Sequence, residues 1–519
     1  MDNGLCCSFG NGNWEIAIRK WGLGIGNWTI GRRLKYICFM KKIIYALILS
    51  SGMLSSAFAQ SGYPDVTFGG TGIVQIMNFI GSANAVAVQQ DGKILIGGYW
   101  EDTIGFQNYA IARFLDDGTL DSTFDNDGIM QSPNPGIIHS LVIQPDNKIV
   151  AGYSNITGVS RFNIIRILDD GNPDTSFGNS GLVNIPLIFT DIKCYGVTLQ
   201  PGGEIVATGF GSSGIAADSI IVARLHADGR PDSTFNNDGI GIYGVNSFSQ
   251  GRDVTIQPDN KILITGSPSF IMRLTTDGLP DSSFAGTGVL QVNQPGFNTS
   301  YSVILLPDEK IFFGGDQYIV KLESNGSPDT SFGTNGYTNT QNIIGSDMAL
   351  QPDGKIIFAG SISGIVGTDI AIARYLANGT IDLNFGLTGI TVVDIGGNDH
   401  ATSVALQPDG KIVLTSLQPV TLHFMNCIRL ENDPFLSVDE IDIADRFIFP
   451  NPATEWIRIS GGDQTSVRIR VSNLLGEILL ESSIHLSSEK IDVSSLKAGI
   501  YILDVFTGSQ VRSHKFIRY

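Results

Sequence analysis

The stretch ALQPDGKI stands at Ala349–Ile356 and again at Ala405–Ile412, and five looser copies (VQQDGKI, IQPDNKI, LQPGGEI, IQPDNKI, LLPDEKI) precede them. Alignment on the Lys position brings Lys93, Lys148, Glu204, Lys261, Lys310, Lys355 and Lys411 into register, at spacings of 55, 56, 57, 49, 45 and 56 residues. A period of that length marks one supersecondary unit repeated, so seven units follow. The substitutions among the copies show what the phrase does. Six of the seven begin the turn with Pro, which presets φ for a first corner, and six continue with Asp. The next position is Gly92, Asn147, Gly203, Asn260, Glu309, Gly354 and Gly410, mostly the residue types that enter left-handed backbone conformations cheaply. The phrase therefore reads as a hairpin turn between AVAVQ-like and KILIGG-like strands. A phosphate-binding loop would instead open a helix and follow its Lys with Ser or Thr, whereas Ile and another strand follow here.

Two further phrases keep time with the first. One runs PDVTFGGTG, LDSTFDNDG, PDTSFGNSG, PDSTFNNDG, PDSSFAGTG, PDTSFGTNG and IDLNFGLTG between Pro64 and Gly389. The other places Arg113, Arg166, Arg224, Arg273, Lys321, Arg374 and Arg429 in strand-like runs such as YAIARF. Each unit thus holds four strand candidates, of which the middle pair is apolar nearly throughout and must be covered on both faces. Four antiparallel strands per unit, repeated seven times, predict an all-β chain with a seven-bladed β-propeller of tandem repeats; an open solenoid is the alternative. Small pairs ending the third strand candidate (Gly97-Gly98, Ala151-Gly152, Gly314-Gly315, Ala359-Gly360) suit the narrow inner end of a blade. No TFG phrase follows the Arg429 strand, while the first such phrase opens the repeats. Residues 72–76 are therefore expected to pair beside the Arg429 strand and close the ring without an exposed edge.

The PDTSFGTNG, QPDGKI and ARL phrases resemble delta-60 repeats, tandem units of secreted bacterial proteins. The resemblance spans roughly residues 63–430 and implies a β-rich, propeller-type fold without implying an activity.

A different pattern begins near Phe447. FPNPATEWIRI, VRIRVSNLLGEILLESS, IDVSSLKAGIYILDVFTGSQ and VRSHKFIRY contain alternating strands, with Val467, Ile469 and Val471 against Arg468 and Arg470, which suit a small Ig-like β-sandwich. FPNPA, SNLLGE, LKAGIYIL and the basic KFIRY end resemble the C-terminal sorting domain of the type IX (Por) secretion system. The final FIRY departs from the more usual Lys-rich ending. The resemblance implies that residues 446–519 engage the type IX secretion machinery, and that the chain passes through the periplasm to be secreted or attached at the outer-membrane surface. An ordinary sandwich domain is the alternative.

Composition and processing signals agree with export. Met40-Lys41-Lys42, the apolar run IIYALILSSGML and Ala57-Phe58-Ala59 form the n-region, h-region and cleavage site of a signal peptide at 40–59. Residues 1–39 then read as an upstream mis-start, with a genuine extension as the alternative. Residues 60–434 hold the repeats and 435–445 a linker. The first 59 residues carry seven Lys or Arg and two Asp or Glu, so the remainder carries −22 against −17 for the whole chain. Such acidity, without a basic run, argues against nucleic acid, and the apolar run before Ala57 is too short to leave a membrane span after cleavage. Only Cys194 and Cys427 remain beyond residue 59, too few for a disulfide framework or a metal site.

Chemistry-bearing motifs are absent. His139, His226, His400, His423, His485 and His514 form no zinc-binding pair, and no G-x-S-x-G elbow occurs. DSTFDNDG at Asp121–Gly128 lacks the ligand spacing of a calcium loop, so its Asp reads as a turn-capping or Arg-pairing residue. No catalytic residue, metal or cofactor is assigned. Topology puts the DGK turns and TFG loops on one face and the variable connections on the other, where repeat scaffolds usually bind. The variable-face candidates are Tyr99, Trp100, Phe106, Phe248, Arg252, Phe297, Tyr301, Asp399 and His400, a set suited to stacking on sugars or gripping a protein. The expectation is an exported or cell-surface, non-catalytic binding and adhesion module for a glycan or protein ligand. The alternatives are an extracellular polysaccharide hydrolase or lyase and a structural surface protein.

Overall fold

The computed structural model describes residues 7–10, 13–16 and 61–518, apart from 78–79, 158–160, 215–217, 247, 365–366, 419–423, 434–447, 450–454, 460–465, 474–477, 486–489, 498 and 508–509. The expected signal peptide, linker and most of the 1–39 extension lie outside these residues. Two compact units are present, residues 1–58 and 59–519. In the first, Cys7–Gly10 pairs antiparallel with Asn13–Ile16. No helix among the described residues is long and apolar enough to cross a membrane.

Among the described residues of the second unit the regular structure is all strand, as the apolar middle pairs required. Seven four-stranded antiparallel sheets follow one another, and their first strands are Gly81–Val88, Ile137–Ile143, Asp191–Leu199, Gln250–Ile256, Ser302–Leu305, Ile344–Leu350 and His400–Leu406. Each first strand packs against its successor and the seventh packs against the first, so the sheets close into a propeller ring. The seventh sheet takes its fourth strand from the start of the repeats. Ile73–Ile76 pairs with Met425–Leu430 in the register Ile73↔Ile428 to Ile76↔Met425. This is the pairing expected from the unmatched TFG phrase. Apolar cores lie between neighbouring sheets, and one joins Phe68, Ile76 and Ala83 to Met425 and Cys427 across the closure. Cys194 and Cys427 are buried and free.

The DGK phrase forms the turn its substitutions implied. In the first copy Gly92 N–H donates to the Gln89 carbonyl (2.9 Å) and Gln89 N–H to the Lys93 carbonyl (2.9 Å). The residue after Asp is left-handed throughout, including Asn147 (φ 64°), Asn260 (φ 63°) and Glu309 (φ 65°). That conformation closes a three-residue hairpin loop whose twist matches the strands.

The three phrases converge on one buried node per sheet. In the first sheet Arg113 Nε donates to Asp121 Oδ2 (2.8 Å), and its Nη1 donates to the Asp169 carbonyl of the next sheet (2.6 Å). The guanidinium lies 4.9 Å from the Phe124 ring centroid. Asp121 also caps its own turn, accepting from Thr123 N–H (3.0 Å) and Oγ1 (2.7 Å), and Lys93 Nζ lies 3.3 Å from it. Burial alone would raise the Asp121 carboxyl, but the Thr123 bonds, Arg113 and Lys93 outweigh it and hold the group down at about 2. Arg166, Arg224 and Arg273 repeat the arrangement on Asp174, Asp232 and Asp281 at 2.8 Å each, and reach the carbonyls of Ala227, Thr276 and Ser324 in the following sheets. At the closure Arg374 bonds Asp382 (2.9 Å) together with Ser61 and Asn432 (2.8 Å each), and Arg429 bonds Asp65 and Asp116 (2.6 Å each). The Gly-Lys pair thus serves architecture, placing an ammonium beside a buried carboxylate.

The sorting-tail region has two sheets around one apolar core. Ser466–Asn473 lies between Ile478–His485 and Gly499–Thr507, with Gln510–Arg518 at the edge, and a smaller sheet holds Ile448–Phe449, Trp456–Ile459 and Ile491–Asp492. Ile457, Ile469, Val471, Leu503, Val505 and Phe516 are buried between them. The alternation read from Ile469 and Val471 against Arg468 and Arg470 is therefore that of a one-sided sheet.

Because Arg374 and Asp382 are both buried, truncating the cation strands a carboxylate without its partner. Arg374→Ala is expected to cost about 3–5 kcal/mol of unfolding free energy in a urea titration; a loss below about 1 kcal/mol, the range of exposed pairs, would contradict the node's role.

Candidate functional site

The site arises from an irregularity repeated around the ring. In six sheets the pairing of first and second strands skips one residue: Asn84, His139, Tyr195, Arg252, Ser346 and Thr402 are left over. Each is a β-bulge, which turns an extra side chain out of the sheet's alternation. In the fifth sheet Tyr301 takes the matching place just ahead of Ser302, its N–H donating to the Gly314 carbonyl (2.8 Å). These seven side chains help line one cavity of about 280 Å³ to which all seven first strands contribute. Since each first strand runs from the variable connections toward its DGK turn, the bulges fall on the variable-face half of the cavity.

Some glycines of the KILIGG strands also answer to these bulges, while Gly97 and Gly152 face the first strand of the next sheet, where a Cβ would meet Leu141 (2.9 Å) or Cys194 Sγ (2.6 Å). Gly98, Gly209 and Gly266 sit opposite the residue before a bulge, and a Cβ on any of them would come within 1.8 Å of the carbonyl oxygen of Ser82, Lys193 or Gln250. Only glycine admits that approach.

Aromatic and cationic groups gather on one side of the cavity. The Arg252 guanidinium lies 4.3 Å from the Tyr195 ring centroid and 5.7 Å from that of Tyr301. Its Nη2 donates to Gln250 Oε1 (2.8 Å), its Nε has no acceptor, and no carboxylate among the described residues pairs with it. Tyr195 also stacks on Phe210 (5.7 Å) and meets the His139 ring edge-on (5.0 Å). Burial, with Lys193 and Arg252 nearby, pushes His139 down to about 3, so the imidazole is neutral, and its Nε2 also lacks a partner.

Carboxylates on the other side fasten neighbouring sheets. Asp253 accepts Val254 N–H and, across to the fifth sheet, Val303 N–H (2.8 Å each). Asp347 accepts Met348 N–H (2.8 Å) and, in the seventh sheet, Ser403 Oγ and Val404 N–H (2.9 Å each). Burial, then the Asp347 charge, lifts Asp253 to about 7; burial also lifts Asp347. Neutral staples do the same work elsewhere: Asn84 Nδ2 donates to the Ile138 carbonyl (3.0 Å), and Ser140 Oγ accepts Val197 N–H (3.1 Å).

Of the variable-face candidates, the structure brings Arg252 and Tyr301 together in this cavity. Tyr99 and Phe297 belong to the core instead. Tyr99 lies in a buried second strand, and Phe297 packs 6.1 Å from Phe313 and 5.7 Å from Tyr318. Trp100 is half-buried with Nε1 donating to the Ser132 carbonyl (3.3 Å), and Phe106 and Phe248 are exposed. Asp399 is buried, and His400 Nε2 lies 3.3 Å from Thr368 Oγ1. His139, Tyr195, Asp253 and Asp347 were missed because they sit within strands; the glycines opposite the bulges were the available signal.

A closed ring of repeated sheets with a polar, aromatic axial cavity defines a β-propeller of the kind built from tandem units. Six segments, 89–124, 144–177, 200–235, 257–284, 306–332 and 351–385, match the domain of unknown function DUF5122 β-propeller, and residues 447–518 match the secretion system C-terminal sorting domain. The chain thus carries repeats that match the DUF5122 β-propeller and a type IX sorting tail, which marks it for export to the cell surface or the extracellular space. Among curated proteins it is similar to ulvan lyase NLR42 of Nonlabens ulvanivorans, 28% identical over 209 residues, or 37% of this chain and 38% of that one. It is also similar to β-agarase D of Zobellia galactanivorans, 45% identical over 67 residues, 12% of this chain and 13% of that one. The chain spans well under half the length of either. Similar solved structures include virginiamycin B lyase from Staphylococcus aureus (16% identity, 69% of this chain and 98% of that one, TM-score 0.45) and Sqt1 from Chaetomium thermophilum (12%, 72% and 98%, TM-score 0.42).

Asp253 carries a pH consequence. Its folded pKa of about 7 exceeds the ordinary 3.8, so the native state keeps a proton that the unfolded chain releases, and this stabilisation is lost as pH rises through about 7. The thermal midpoint should fall between pH 5 and pH 8, and Asp253→Asn should flatten that fall whatever its offset. An unchanged slope in the variant would exclude Asp253 as the titrating group.

Proposed function

We propose that the exported propeller is a non-catalytic module that binds an extracellular polysaccharide at the variable-face mouth of its axial cavity, serving adhesion or capture. The observation that carries this reading is Arg252, held against Tyr195 and Tyr301 with a free Nε and no carboxylate partner among the described residues. In a chain carrying −17 overall, a half-buried guanidinium without a counter-ion suits an anionic group on a ligand. The tyrosine faces offer sugar rings an apolar platform with a polar rim. Phe106 and Phe248 are exposed on the variable connections.

A second reading, a polysaccharide lyase or hydrolase, is favoured by Asp253 poised near pH 7, a value suited to proton transfer. The names of the two curated relatives, an ulvan lyase and a β-agarase, also support carbohydrate as the ligand class. Against catalysis stands the engagement of both Asp253 and Asp347 with backbone amides of the next sheet, an architectural task.

Calorimetry of the full chain with ulvan, agarose and neutral glycans, followed by size analysis of the recovered polymer, separates the readings. Saturable binding weakened at least tenfold by Arg252→Ala, about 1.4 kcal/mol, with polymer length unchanged, is the expected result. Equal binding by the variant would remove Arg252 from the site, and shortened polymer would make the protein an enzyme.

A further inference from the structure

A second cluster lies where the sixth and seventh sheets meet on the variable face. Asp369 opens the third strand of the sixth sheet, Asp394 follows its fourth strand, and Asp399 precedes the first strand of the seventh. One carboxylate oxygen from each lies within 4.8 Å of the others. None of the three is ion-paired among the described residues, and Asp399 Oδ1 is buried without a partner.

The chain supplies its own comparison. At the junction of the third and fourth sheets the positions matching Asp369, Asp394 and Asp399 are Ser219, Gly244 and Ser249, with the same separations of 25 and 5 residues. The registers agree, since Ile370↔Val393 corresponds to Ile220↔Tyr243. The loops are also tied alike: Ser249 Oγ accepts Val245 N–H (2.9 Å), and Asp399 Oδ2 accepts the equivalent Ile395 N–H (2.9 Å). One hydroxyl therefore suffices for the fold at this place. Three acids replace three neutral residues together, leaving a buried carboxylate oxygen that the loop does not use. Uncompensated, such a cluster is costly, since buried charge requires pairing or a metal. Burial, with Asp394 and Asp369 adding to it, raises the Asp399 carboxyl above its ordinary value.

We propose that Asp369, Asp394 and Asp399 bind a calcium ion that bridges the connections of the sixth and seventh sheets. The donors are hard carboxylate oxygens, one at a strand end and two on the irregular connection between the sheets, which suits the flexible coordination of Ca²⁺ better than the strict octahedron of Mg²⁺. This site is separate from the Arg252 cavity and does not depend on the function proposed for it.

The test is a calcium titration of the full chain by calorimetry, with thermal unfolding in calcium and in chelator. One site per chain is expected, and calcium at about a hundred times the dissociation constant should raise the midpoint by roughly 3 °C. The triple variant Asp369→Ser, Asp394→Gly and Asp399→Ser copies a connection already present in this fold and removes the uncompensated charges, so it should melt at or above the wild-type chelator midpoint and lose both responses. The exposed single change Asp394→Ala should weaken binding at least tenfold, independently of the buried position. Absence of calcium binding by the wild type, or binding unaltered in both variants, would overturn the assignment.

Discussion

Each sheet is held by one buried cation. In the first four sheets an Arg on the third strand meets the Asp of the following TFG phrase, lies over its Phe, and reaches a carbonyl of the next sheet, and in the first, second and fourth the Lys of the DGK turn approaches the same Asp. A single side chain thereby fixes the return of its own chain and the docking of its neighbour. The cation and carboxylate cannot be buried singly without a large desolvation penalty, so the three phrases have to occur together. The exceptions follow that logic. The third copy has Glu204 in place of Lys, and His226 lies 3.7 Å from Asp232. Where Lys321 replaces Arg, Lys310 closes on Asp329 at 2.8 Å.

With the outer half of each sheet locked, the inner strand can carry an irregularity. A bulge costs ladder pairing, and the glycine opposite it costs backbone entropy. The return is seven side chains aimed at the axis whose identities are free to differ. Asn84 became a staple between sheets, as did Ser140, Asp253 and Asp347 one residue past a bulge, whereas Tyr195, Arg252 and Tyr301 became a cationic and aromatic surface.

The architecture was legible because each role is written seven times, and the copies vary where the role permits. Asn147 or Asn260 in place of Gly identified a left-handed turn position, and the unmatched first TFG phrase identified the closing strand at Ile73–Ile76. The site was legible only in part. Arg252 and Tyr301 were reached because they stand near variable connections, but Tyr99 and Phe297 share that neighbourhood and turn inward. Strand alternation misleads at a bulge, since the extra residue reverses which face each following residue occupies. Asp253 and Asp347 gave no motif, because a sheet-to-sheet bond to a backbone amide needs only one acceptor at the right height. The acidic junction at Asp399 escaped for another reason: its three residues come from three separate segments that only the ring brings together.

The axial mouth is the proposed place where this exported propeller meets its ligand. The most direct measurement is a crystal structure of the full chain grown with an acidic oligosaccharide. Sugar density stacked on Tyr195 or Tyr301, with an acidic group against the Arg252 guanidinium, is the result the account predicts. Density confined to the face of the DGK turns, with the cavity around Arg252 holding solvent alone, would contradict it.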